Sequence, residues 1–231
     1  MKILTIIPTW RELDGFVQAC CEAGYDTEAV ATGRLSLTYF PALAIAVAPG
    51  GLGKTQFAVH TQHLLEQGQW ELVICAGAAG ALVDSIAVGD VVIATETVEH
   101  DMRNRFGPPR LPRFRSAEHV LELCRHALQT EQAFRVHYGP IASGDEDVVE
   151  GERRAAIHAH TGAVVVAWEG AGGARASQFS GVPFIEIRGV TDSANSAAAV
   201  DFKLNVKWAM HNVARVVASL ARRGKEGCWT G

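Results

Sequence analysis

The feature that most constrains this chain is the alternation of short apolar runs, rich in β-branched residues, with longer segments whose apolar residues recur at threes and fours. Runs of the first kind lie at residues 3–7, 43–48, 72–76, 90–95, 136–141, 163–166 and 184–190, and read as strands. Segments of the second kind, at 55–66, 117–128, 150–160, 170–179 and 202–222, read as helices. Strand followed by helix, repeated along a chain, is the pattern of an α/β fold with a mostly parallel sheet covered by helices. The 231 residues suffice for a large core, so 1–231 is expected to form a single domain whose polar, glycine-containing tail, 223–231, frays.

Composition narrows the partners. With 48% hydrophobic and 20% charged residues the chain is far from the composition of disorder. A formal net charge of -4 supplies no broad positive field for a polyanion, so no nucleic acid is expected. The local basic cluster, Arg103, Arg105, Arg110, Arg113 and Arg115, is interrupted by Pro108, Pro109 and Pro112. It reads as a solvated loop, with a lid as its other use. The chain opens on a strand-like run without the long apolar stretch of a signal peptide or membrane span, and its cysteines lack paired metal-ligand spacing. A cytoplasmic protein with reduced thiols, no membrane partner and no metal is the expectation. His158 and His160, two apart on a helix, face different sides and read as surface residues.

Glycines cluster after several strands: Gly50, Gly51 and Gly53, then Gly77 and Gly80, then Gly144. In open α/β sheets, ligands bind in the crevice beyond the carboxyl ends of the strands, where glycine lets backbone approach closely. Gly50-Gly51-Leu52-Gly53-Lys54-Thr55 imitates the end of a phosphate-binding loop. Such a loop needs a glycine five residues before Gly53, and that residue is Ala48. The strand at 72–76 also runs into Gly77 instead of ending in a magnesium-binding Asp, so a nucleoside triphosphatase is not expected.

Further motifs follow in order: Cys75-Ala76-Gly77-Ala78-Ala79-Gly80, Val88-Gly89-Asp90-Val91-Val92-Ile93-Ala94 and His100-Asp101. Then come Ser143-Gly144-Asp145, Trp168-Glu169-Gly170-Ala171 and Arg188-Gly189-Val190-Thr191-Asp192. In this order, over nearly the whole chain, they resemble the nucleoside phosphorylase and nucleosidase superfamily, notably its methylthioadenosine/S-adenosylhomocysteine nucleosidases and futalosine hydrolases. The resemblance implies a single-domain α/β fold, a twisted mixed sheet flanked by helices, in homodimers or larger assemblies. It implies a small-molecule nucleoside as partner and no cofactor.

The resemblance also assigns roles. Asp192 matches the acid that donates a proton to N7 of the departing purine; the plainer alternative, read from the residues alone, is a helix N-cap before Ser193 to Ala199. A carboxyl of pKa about 3.9 is only about one part in a thousand protonated at pH 7, so that role demands burial or a proton shared with the bound base. Glu169 matches the glutamate that accepts hydrogen bonds from the ribose hydroxyls and faces an oxocarbenium-like transition state, and Trp168 falls where the sugar rests. Glu12, in Pro8-Thr9-Trp10-Arg11-Glu12, matches the base that activates water, and Arg188 the arginine that helps place the nucleophile. Gly77 and Ala78 fall at the substrate-lining turn, and Phe106 in the loop that reaches a neighbouring subunit's 5′ pocket.

Pro8-Thr9 and Ala78 replace the arginine-bearing segment and the serine with which phosphorylases of the superfamily hold phosphate, which favours water as nucleophile. Ala167 departs from the family's Glu-Met-Glu, and Asp147 stands where an aromatic usually stacks the base, so Asp147 and Val148 are expected against a different base or polar substituent. The reading is a nucleosidase that hydrolyses the N-glycosidic bond of a purine-type nucleoside. Its alternatives are a phosphorylase and a nucleoside-binding module without turnover.

Overall fold

The computed structural model of the chain describes residues 2–107, 110–131 and 133–225. In chain order the elements are β1 (Ile3–Ile7), α1 (Trp10–Glu22), β2 (Glu28–Thr32), β3 (Leu35–Phe40), β4 (Ile45–Pro49), α2 (Lys54–Glu66), β5 (Leu72–Ala81) and β6 (Val91–Glu99). There follow β7 (Arg113–Arg115), α3 (Glu118–Ala127), β8 (Val136–Ser143), α4 (Gly151–Thr161), β9 (Val165–Ala167), α5 (Gly170–Ser180), β10 (Phe184–Asp192) and α6 (Ala198–Lys225). The strands form one sheet, in the order β10-β6-β8-β9-β5-β1-β4-β3-β2, with β7 on β6. Because β10 pairs β5 as well as β6, five strands of that order close into a ring, and the rest extend from β5.

The single-domain α/β expectation holds, but the sheet is evenly mixed where the pattern of runs alone suggested mostly parallel. Parallel pairs (β1–β4, β1–β5, β5–β10, β6–β8, β8–β9) are matched by antiparallel ones (β2–β3, β3–β4, β5–β9, β6–β7, β6–β10). The predicted strands and helices all occur, and four elements were not predicted. Helix α1 starts from a capping box, in which the Thr9 side chain accepts from the Glu12 N–H and Glu12 reaches back to Thr9. The hairpin β2–β3 turns through Gly33 at φ 60°, with an exposed β2 that lacks the apolar alternation of a half-buried strand. Part of the basic cluster is not loop: Arg113–Arg115 pairs with β6, with Arg113 on Glu96 and the Phe114 ring 5.1 Å beneath the Arg175 guanidinium.

The tail begins later than expected. Residues 223–225 continue α6 as helix, and the remainder of the predicted frayed segment, 226–231, lies outside the described residues, as do Pro108 and Pro109. Two apolar layers flank the central strands. One joins Phe16, Ile74, Ile187, Met210 and Val213 beneath α1 and α6; the other joins Leu4, Phe57, Leu64 and Phe184 beneath α2 and α5. Both leave the far ends of β5, β8 and β10 uncovered by large side chains: β5 closes on Ala78, Ala79, Gly80 and Ala81, which make room there. Among the described residues no helix is long and apolar enough to cross a membrane, and no group of three or more His, Cys, Asp or Glu is arranged to hold a metal.

Candidate active site

The open strand ends surround a cavity of about 430 Å³. Glu12, Glu169, Arg188 and Asp192 line it, with Ala78 between them. Trp168, Asp147 and Val148 also line it, and α6 contributes Phe202 and Lys203. Ten side chains from separate stretches of the chain thus meet at this opening, where the parallel strands β1, β5 and β10 and the parallel pair β8 and β9 each bring their carboxyl ends.

Glu12 is buried in the first turn of α1. Its Oε2 accepts from the Thr9 N–H at 3.1 Å and the Thr9 hydroxyl at 2.5 Å, and its Oε1 from the Ala78 N–H at 2.7 Å. This glutamate therefore caps α1 and lines the cavity in one conformation. Gly77 does not line the cavity but makes it possible: a Cβ there would lie 2.5 Å from Arg188 Nη1 and 2.9 Å from Glu12 Oε1.

Glu169, just before α5, is buried, and its Oε1 accepts from the Gly53 N–H at 3.4 Å. That bond gives the phosphate-loop lookalike its place. The Gly50–Gly53 turn brings backbone, not phosphate, to the site, while the Lys54 ammonium pairs with Asp101 and with Glu99 at 3.4 Å. Glu169 Oε2 lies 3.3 Å from Arg188 Nη2. Burial pushes the Glu169 carboxyl up from 4.5 to about 7, against the opposing pull of Arg188 and with a contribution from Glu12.

Arg188 is buried within β10 and carries a second acid that the sequence reading did not single out. Its Nε donates to Glu186 Oε1 at 2.8 Å, Nη1 reaches the Ala78 carbonyl at 3.4 Å, and Nη2 lies 3.3 Å from Cys75 Sγ, a thiol that burial pushes up. The signal for Glu186 was its charge inside an otherwise apolar strand, Phe184 to Ile187.

Asp192 ends β10, with α6 starting only at Ala198, so it is not a cap of that helix. Its Oδ1 accepts from the Ala194 N–H at 2.9 Å, in a tight turn where Ala194 adopts φ 46°, and its Oδ2 lies 2.8 Å from the Thr191 hydroxyl. A Cβ on Gly80 would lie 2.7 Å from Oδ1, so the acid packs directly on the β5 backbone. Burial raises the Asp192 pKa above the ordinary carboxyl value, against hydrogen bonds from Ala194 and Thr191.

Of the other lining residues, Trp168 is half-buried, Asp147 exposed and Val148 buried. Phe106 lies outside this chain's own cavity and is fully exposed. His158 Nδ1 donates to the Ala163 carbonyl at 2.8 Å, a local helix-end contact.

The model of the phosphorylase superfamily matches residues 2–222, and the chain belongs to that family. Within it, a 5'-methylthioadenosine/S-adenosylhomocysteine nucleosidase of Bacillus cereus (strain G9842) is 33% identical over 185 residues, 77% of this chain and 80% of the relative. The crystal structure of the enzyme of that name from Neisseria meningitidis, in complex with methylthio-immucillin-A, has a TM-score of 0.83 and 31% identity, covering 95% of this chain and 98% of that one. Futalosine hydrolase of Helicobacter pylori strain 26695 shares the fold, at a TM-score of 0.85 and 24% identity over 96% of this chain and 97% of that one.

Proposed function

We propose that this protein is a nucleosidase that hydrolyses the N-glycosidic bond of a purine-type nucleoside to free base and sugar. The observation that carries the reading is that Asp192, Glu169 and Glu12 open onto one cavity, with Arg188 among them. Asp192, raised by burial, gives its proton to the leaving base as the C1′–N bond breaks. Glu169, ionised, accepts from the ribose hydroxyls and faces the positive charge that develops on the sugar. Water adds to C1′ and passes a proton to Glu12, which releases it to solvent, and solvent returns a proton to Asp192. Side chains of the cavity supply each group in this scheme.

Hydrolysis rather than phosphorolysis is favoured by charge. Arg188 and Lys203 are the cations among the described residues lining the cavity, and Arg188 already faces Glu186 and Glu169. A phosphate dianion entering beside Glu12 would meet carboxylate without a free guanidinium. We further propose a homodimer in which Phe106, exposed here, reaches the partner's cavity, and a cytoplasmic location.

The test is a nucleoside panel that includes methylthioadenosine and futalosine, with chromatography for free base, in the presence and absence of phosphate. Free base with free sugar is expected in both. Sugar 1-phosphate that appears only with phosphate would replace the nucleosidase by a phosphorylase, and tight binding without base release would replace both by a binding module. Native mass spectrometry of the wild-type chain and Phe106→Ala tests the dimer; a monomer that turns over at full rate removes Phe106 from the site.

A further inference from the structure

None of the roles proposed above uses Glu186, although it is fully buried beside the residues that have them. It lies two positions before Arg188 on β10, so the two side chains leave the same face of the strand. On β5 their register partners are Cys75 and Gly77. Glu186 Oε1 accepts from Arg188 Nε at 2.8 Å, and Oε2 accepts from the Thr97 hydroxyl at 2.6 Å. Both oxygens are thus tied to groups from different strands, β10 and β6.

The space the acid occupies is made for it. A Cβ on Gly170 would collide with Glu186 Oε2, so only glycine after Glu169 leaves room for the carboxylate under the first turn of α5. The backbone there presents the positive end of the helix dipole. A buried carboxylate without a partner is costly, and a charge-assisted bond to a guanidinium is what offsets that cost. The Arg188–Glu186 separation is 2.8 Å against 3.3 Å for Arg188–Glu169, so the guanidinium is directed chiefly to the acid behind it and only secondarily to the acid that faces the cavity.

We propose that Glu186 is a positioning residue: anchored by Thr97, it fixes the Arg188 guanidinium from behind and draws its charge away from Glu169. The proposal rests on the nucleosidase reading for its kinetic consequence, and on geometry alone for its electrostatic one. Glu169 and Glu186 share one arginine, and a guanidinium turned toward Glu186 opposes less strongly the burial that raises Glu169. The direction of the Glu169 shift agrees. Glu186 thereby sets the pH at which Glu169 becomes the acceptor that the sugar needs.

Glu186→Gln keeps the size and an acceptor oxygen and removes the charge. With the guanidinium released toward it, Glu169 ionises at lower pH, and the acid limb of kcat/KM moves down by about 1 pH unit. Thr97→Val keeps the charge and unties the anchor; it lowers kcat/KM on the order of 10-fold through misplaced Arg188, with the acid limb moved less than in Glu186→Gln. A purely structural Glu186 would lower the melting midpoint in both variants and leave the pH profile where it was, and that result overturns the proposal.

A second readout needs no turnover. Titration of 13C-labelled glutamate side chains, with Glu169 assigned through Glu169→Gln, reports the Glu169 midpoint in the wild type and in Glu186→Gln. A downward move of the Glu169 midpoint supports the proposal, and an unmoved one refutes it. Absence of base release by the wild-type chain on the nucleoside panel removes the nucleosidase reading alone, since the titration still decides the electrostatic claim. Should Glu186→Gln fail to fold, Thr97→Val carries the test, and unchanged kcat/KM in that variant overturns the anchoring.

Discussion

The wall made by Glu12, Glu169 and Arg188 and the loop at 145–149 border one cavity, yet they are held by different means. On the wall each of these three side chains is buried and tied to a strand or to the first turn of a helix: Glu12 to Ala78, Glu169 to Gly53, Arg188 to Glu186. In the loop, Glu146 pairs with Arg153, and its Oε1 lies 3.4 Å from His100 Nδ1, while Asp147 and Val149 are exposed and only Val148 is buried. Groups that must meet a transition state to within a fraction of an ångström belong on rigid, over-determined elements, whereas groups that select among substrates sit on a loop that tolerates change. The difference teaches that chemistry and selectivity in this protein are separable by mutation.

The largest effect expected is on the wall's side. Asp192→Asn preserves the acceptor for the Ala194 N–H but has no acidic proton, and base release should fall by at least on the order of 100-fold. Turnover at the wild-type rate in that variant, followed by chromatography, would break the comparison at its strongest point.

Glu169→Gln should lower kcat/KM by about 100-fold, through loss of the charge facing the sugar. It should also change stability in a pH-dependent way. The Glu169 carboxyl is raised in the folded chain from 4.5 to about 7, so the folded state holds a proton that the unfolded chain releases. The group's contribution is fully present below 4.5 and is lost as pH rises through about 7. Gln does not titrate, so urea denaturation at pH 4 and pH 8 should show the variant gaining about 3 kcal/mol relative to wild type over that interval. A pH-independent difference would mean that Glu169 titrates in the folded chain as it does in the unfolded one.

Smaller effects belong to the other lining residues. Trp168→Ala should raise KM on the order of 10-fold with little change in kcat, as expected for a half-buried aromatic that contacts the ligand without joining the chemistry. A matching fall in kcat would move Trp168 onto the catalytic wall. The smallest is Asp147→Asn: the side chain is exposed, its charge is screened, and kcat/KM on the best substrate should change by less than about 3-fold. The ranking of nucleosides in the panel should nonetheless shift, which would sharpen the separation; an unchanged ranking at low salt would remove Asp147 from selectivity.

Much of this frame could be read in advance. The apolar runs and the glycines after them located the core strands and the site's edge, and all the predicted strands and helices are present. Helix α1 was legible too, in the Thr9-Trp10-Arg11-Glu12 signature of a capping box, and so was the β2–β3 turn, in Gly33. Neither stood out, because α1 follows its strand at once and β2 lacks an apolar face. The strand β7 was hidden by charge: Arg113 and Arg115 read as solvated, while the Phe114 between them packs against Arg175. Glu186 was visible as an acid within an apolar strand, but its partners Thr97 and Gly170 are remote in sequence from it or from each other, and no local pattern links them.

By itself the sequence determined the order of strands and helices, the small residues that let backbone come close, and which acids stand at strand ends and helix starts, because these follow from side-chain period and from local hydrogen bonding. Only the tertiary structure decided what those acids are. Whether Glu169 is a carboxylate or a carboxylic acid near neutrality, and whether Lys54 holds a phosphate or pairs with Asp101, depends on burial and on charges brought near by the sheet. Ionisation is set by the dielectric and the distance between groups, and both are properties of the packed molecule rather than of any stretch of chain.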